Sequence, residues 1–206
     1  MSIVKLSNNG VKNATAFGSI TGLGSMVFIK KLTASSSSTL SFVDGASSVV
    51  LDDTYKEYVF TFNNLHVASD SASITFQGST DTGSNYNTTL TTSYFEAHHA
   101  ESDGASGLGY EAAKDLAQST SFQPLFWSNG TGNDESASGY LRLFNPSSTV
   151  FVKHFIHTGN QNVSYDYANN TFMAGYFNTT SAIDAIQFKA GSGNIDAGDI
   201  CLYGIA

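Results

Sequence analysis

The chain has 206 residues, a net charge of −8 at pH 7 and only 13% charged residues. That length suits one β domain with a sizeable core and something added to it. The nine Lys and Arg form no basic run, so a phosphate-binding footprint is missing, which argues against nucleic acid and anionic membranes as partners.

The rest of the composition narrows the class. Cys201 is alone, so neither an intrachain disulfide nor a cysteine metal cluster is expected. The opening MSIVKLSNNG lacks the apolar run of a signal peptide, and no stretch reaches the ~20 apolar residues of a membrane helix. Membrane insertion is therefore not expected. Fifteen Phe, ten Tyr, 19 Gly and two Pro favour short strands joined by many turns.

Residues 1–33 read as an arm. Ile3-Val4-Lys5-Leu6 and Met26-Val27-Phe28-Ile29 are short apolar runs broken by glycines, too small for a core of their own. Ile3, Val4 and Leu6 are the expected anchoring residues of an arm that docks on a partner or on the domain. The serine-rich joint 34–38 opens a β domain over 34–206.

Strands then recur. Thr39–Val43 is short, and Glu57–Phe62 puts Tyr58, Phe60 and Phe62 on one face. Ser73–Gln77 buries Ile74 and Phe76, and Thr88–Ala97 carries Leu90, Tyr94 and Phe95. The links 64–71 and 79–87 read as turns. The latter, Ser79-Thr80-Asp81-Thr82-Gly83-Ser84-Asn85-Tyr86, has the spacing of an Asp box. Asp81 is expected to cap turn N–H groups, Gly83 to take positive φ and Tyr86 to plug the turn.

Residues 98–138 read as a long irregular excursion, with one short helix over Glu111–Gln118. Phe122, Leu125, Phe126 and the sole Trp127 lie in it. They either cap one end of the domain or form a patch that stacks on sugars or contacts a partner. The strongest hairpin follows, Tyr140–Phe144 and Thr149–Ile156 around Asn145-Pro146-Ser147-Ser148. A polar link over 159–170 carries Tyr165 and Tyr167. Thr171–Asn178, Ile183–Ala190 and Ile200–Ile205 complete the count. The fold class is all-β: an antiparallel jelly-roll-like β-sandwich with an extended N-terminal arm.

Catalytic and metal chemistry find little support. His98 and His99 are adjacent and face opposite sides of a strand, as do His154 and His157, and no third ligand is suitably spaced. No serine sits in a nucleophile elbow. Among the carboxylates Glu57, Glu96, Asp166 and Asp184, nothing selects the opposed pair a glycosidase uses. No catalytic residue, cofactor or metal is assigned. Trp127, Tyr165 and Tyr167 are the candidate contacts for a glycan or partner.

The blocks Asp53-Thr54-Tyr55-Lys56-Glu57-Tyr58-Val59-Phe60, Phe76–Tyr86, Leu143–Thr149, Asn178–Phe188 and Ser192–Ile205 stand out. Together they resemble a family of virion structural proteins in tailed phages of marine bacteria. The resemblance covers about 39–206, and Lys5–Val11 resembles the short leader such proteins carry. The shared motifs are turns and core strands, so no functional residue comes with them.

The resemblance implies a place on the phage particle surface, with synthesis in the host cytoplasm. The expected role is a non-enzymatic, tail-attached fibre or adhesin held by its arm and touching host glycans. The alternatives are a capsid decoration protein or head fibre and, third, a glycan depolymerase. Expected partners are other virion proteins of tail or capsid, and further copies of the chain, as in a trimer.

Overall fold

The computed structural model describes residues 26–206. Twelve strands occur among them, all paired antiparallel: β1 (Met26–Thr33), β2 (Leu40–Val43), β3 (Glu57–Val67), β4 (Ala72–Ser79), β5 (Leu90–Ala100), β6 (Ser106–Tyr110), β7 (Gln123–Asn129), β8 (Ala137–Phe144), β9 (Lys153–Val163), β10 (Tyr167–Phe177), β11 (Ala185–Ala190) and β12 (Ile195–Ile205). No helix in this part of the chain is long and apolar enough to cross a membrane.

The pairings are nested. β1 pairs β12, β2 pairs β11, β3 pairs β8 and β4 pairs β7, while β12 and β11 also pair β3 and β4. Two strips result, β1-β12-β3-β8 and β2-β11-β4-β7. The remaining strands enlarge the first strip: β9 joins β8, β10 joins β9, and β5 and β6 follow outward. A single bridge, Asn129 to Val163, ties β7 to β9. The sheet thus curls back until it is nearly closed into a barrel-like shape.

Alternation explains why the strips face each other. Tyr58, Phe60 and Phe62 on β3 are wholly buried, as are Phe42 on β2, Phe76 on β4, Phe126 on β7 and Phe188 on β11. Their rings meet edge to face: Phe60 and Phe62 each lie 5.4 Å from Phe188, and Phe62 lies 5.7 Å from Phe126. Close approach is also needed at Gly159, where a Cβ would strike the Phe126 ring.

The Asp-box turn forms as its spacing predicts. Asp81 Oδ1 accepts the Asn85 backbone N–H (2.8 Å), Gly83 has φ +78°, and the Tyr86 hydroxyl lies against Gly83. The hydrogen bonds from Asn85 hold the Asp81 carboxyl below its ordinary pKa.

Several expectations need correction. The helix over Glu111–Gln118 is a turn, because its backbone bonds outward. The Leu116 N–H bonds the Thr92 hydroxyl (2.9 Å), and the Leu116 carbonyl accepts the Thr92 N–H (2.8 Å). The excursion 98–138 contains β6, β7 and the start of β8, and β3 runs on through the expected turn at 64–67. β9 begins at Lys153 rather than Thr149. Ser148 Oγ accepts the N–H groups of Val150 and Phe151, which curls that segment away from the ladder. The polar link 159–170 is mostly strand, closed by a three-residue turn at Ser164, Tyr165 and Asp166. Ile3, Val4 and Leu6 lie outside the described residues, while Met26–Thr33 is an edge strand.

Candidate functional site

A local fault in β7 builds the site. Opposite β4, Ile74 pairs Phe126 while Thr75 pairs Pro124, so Leu125 is an extra residue in a bulge. The fault buries Leu125 and Phe126 in succession. It splits the group Phe122, Leu125, Phe126 and Trp127 expected to act together: Leu125 and Phe126 join the core, Phe122 lies under Lys189 Nζ at 3.9 Å, and Trp127 turns towards β5 and β10.

The β9–β10 turn is held against β7. The Ser164 N–H donates to the Ser128 carbonyl (3.0 Å), and Asp166 takes φ +59° to close the turn. Tyr165 thereby stands beside Trp127, ring centroids 6.4 Å apart. Tyr167, at the start of β10, stacks on His98 of β5 at 5.6 Å. Trp127, Tyr165 and Tyr167, drawn from two distant stretches of sequence, line one cavity of about 90 Å³ with Glu96, His98, Val163 and Asn169.

Glu96 projects inward from β5 and is only 4% exposed. The Trp127 indole N–H donates to its Oε2, and Asn169 Nδ2 donates to the same oxygen (3.1 Å). Oε1 has no hydrogen-bond partner among the described residues. The Asn169 amide must turn its nitrogen to the carboxylate, which only accepts. That leaves Asn169 Oδ1 buried and unpartnered. Lys114 Nζ lies 3.8 Å over the Trp127 ring without lining the cavity.

The other candidate carboxylates have structural partners or lie in turns. Glu57 meets Arg142 at 2.8 Å, Asp184 accepts the Thr82 N–H at 3.0 Å, and Asp166 sits in the β9–β10 turn. Sequence alone gave no reason to prefer Glu96, because its partners Trp127 and Asn169 lie 31 and 73 residues away.

A larger groove of about 520 Å³ lies over Gly175, between Ser93, His154, Ile156 and Tyr176. It is shallow, and its lining holds no carboxylate. The smaller cavity is the better candidate because buried polar groups converge there on an aromatic wall.

Compared with family models, curated proteins and solved structures, the chain matches none.

Proposed function

We propose that the domain is a jelly-roll-like β-sandwich of a phage virion. The four nested strand pairs support that topology: each successive pair closes inside the one before, as in a rolled hairpin. β5, β6, β9 and β10 are then insertions that widen one layer.

The particular role proposed is a non-catalytic, tail-attached adhesin that touches a host-surface glycan, its N-terminal segment serving as the attachment. The resemblance to phage virion proteins supplies the setting. The observation that carries the contact is the cavity of Trp127, Tyr165 and Tyr167 over Glu96. Flat rings stack on the apolar faces of sugars, and a carboxylate and amides bind their hydroxyls. The cavity lining holds one carboxylate, whereas most glycosidases use two.

Glycan-array binding tests this reading. Wild type should bind at least one glycan, and Trp127→Ala should abolish it. Binding undiminished in Trp127→Ala would remove the cavity from the account.

A second reading, capsid decoration by packed copies, draws on another feature. Tyr110, Phe95, Phe172, Thr158 and Tyr140 form a row of paired positions across β6, β5, β10, β9 and β8. Phe95 and Phe172 stack at 5.0 Å, and Phe95 and Tyr110 are 43% and 56% exposed. Such a row suits contact between copies. Quantitative mass spectrometry of purified particles separates the readings: hundreds of copies for decoration, at most a few dozen for a tail adhesin. Absence from purified particles would remove both.

A further inference from the structure

We propose that the Glu96 cavity takes a protonated amino group, presented by an amino-sugar glycan. The inference rests on the glycan-contact reading above and names its ligand class.

Charge carries the first part of the argument. Glu96 is a buried carboxylate with no ion-pair partner among the described residues. A buried charge is costly unless it is paired and hydrogen-bonded. Two donors satisfy Oε2, while Oε1 takes no bond from the described residues and is not among their covered unpartnered oxygens, so it stays accessible. Neither nearby basic side chain answers it. Lys114 sits over the indole ring, and His98 stacks on Tyr167; neither bonds Glu96.

The hydrogen-bond inventory points the same way. Asn169 spends its Nδ2 on Glu96 and its Oδ1 is fully covered, so the acceptor left for a ligand is Glu96 Oε1. A positively charged hydrogen-bond donor complements that oxygen. The walls agree, because the faces of Trp and Tyr rings attract cations. Lys114 over Trp127 displays that attraction within the protein itself.

Size selects the form of the ligand. About 90 Å³ is well under the roughly 300–1,000 Å³ of pockets that enclose whole small molecules. The cavity admits a headgroup, while the sugar ring stays outside against Tyr165, which is 55% exposed. Acetylation of the amine removes the charge and two of its donors, and it enlarges the group.

The sole tryptophan provides the readout. Trp127 fluorescence is titrated with glucosamine, N-acetylglucosamine, glucose and Nα-acetyl-lysine amide. Glucosamine should bind at least tenfold more tightly than N-acetylglucosamine or glucose. Glu96→Gln keeps an acceptor for Trp127 and Asn169, and it should erase that preference.

Equal binding of the three sugars overturns the inference and leaves the glycan reading standing. Retention of the preference in Glu96→Gln overturns it as well. Binding of the lysine derivative as tight as glucosamine keeps the ammonium site and overturns the sugar as its source. Silence from all four probes overturns both the inference and the proposed contact. The selectivity of the wild type decides the matter even if the variant misfolds.

Discussion

Five of the eight nested strands and the inserted strands solve burial in different ways; β4 and β7 fall between them, burying Thr75, Gln77, Ser79, Gln123, Ser128 and Asn129. β2, β3, β8, β11 and β12 contribute no buried polar or charged side chain, and Phe42, Phe60, Phe62 and Phe188 close their interior. β5, β9 and β10 bury Thr92, Glu96, Lys153, His157, Gln161, Asn169 and Thr171. Three of the four buried unpartnered side-chain oxygens among the described residues, those of Gln161, Asn162 and Asn169, lie there too; the fourth is Asn129 at the bridge to β9. Apolar packing stabilises without direction, whereas buried polar groups cost free energy unless each finds a partner. The first region is therefore built to hold, and the second carries covered polar groups that lack partners.

Cutting into the apolar side gives the largest expected effect. Phe62 touches Phe126, Phe188 and the His157 ring, so Phe62→Ala should lose about 3–5 kcal/mol. Chemical denaturation measures it; a loss under ~1 kcal/mol would mean the rings do not form one core.

His157 sharpens the contrast through pH. Burial depresses its pKa to about 4, against the hydrogen-bond acceptors at Tyr140 and Leu125 that favour the charged form. The unfolded chain, with a value near ~6.5, binds the proton first as pH falls. Stability should therefore decline from about pH 6.5 down to about pH 4, by on the order of 3 kcal/mol. Denaturation midpoints against pH measure this, and His157→Phe should flatten the decline. An unchanged slope in the variant would assign it to other groups.

Where the two regions meet, Gly159→Ala should cost about 1–3 kcal/mol, because the new methyl collides with the Phe126 ring. The melting temperature reports it, and an unchanged value would mean that the ring moves freely.

His66 gives the smallest effect, and it acts on the opposite side of pH. Burial opposes its charging, but Asp196 Oδ1 at 2.8 Å from Nδ1 and the Gly132 carbonyl at 3.0 Å from Nε2 outweigh it and raise the pKa. Only the imidazolium donates to both. Its contribution is complete below about pH 6.5 and is lost as pH rises through the folded value. His66→Gln should remove a shallow alkaline decline in stability; a steeper decline in the variant would refute the assignment.

Much of the apolar region was legible from alternation. Tyr58, Phe60 and Phe62 on one face, Ile186 and Phe188 inside, and Leu141 and Leu143 opposite Arg142 all follow from a period of two. The inserted region was less so. The stretch 159–170 reads as a polar loop, since polar residues mark turns unless something buries them. Here pairing with β5 and β8 buries every second one. Thr149–Val152 misled in the other direction, as an alternating run that a serine side chain pulls out of the ladder.

The sequence by itself determined the all-β class, the Asp-box turn and the inward aromatic faces, because period, turn chemistry and φ preference act between near neighbours. It also marked Trp127, Tyr165 and Tyr167 one by one. Only the tertiary structure decided that they share a cavity, and that Glu96 rather than another carboxylate lies beneath them. A bulge at Leu125 and a hairpin bridged to Asn129 bring these residues together, and such long-range geometry leaves no periodic trace in the chain.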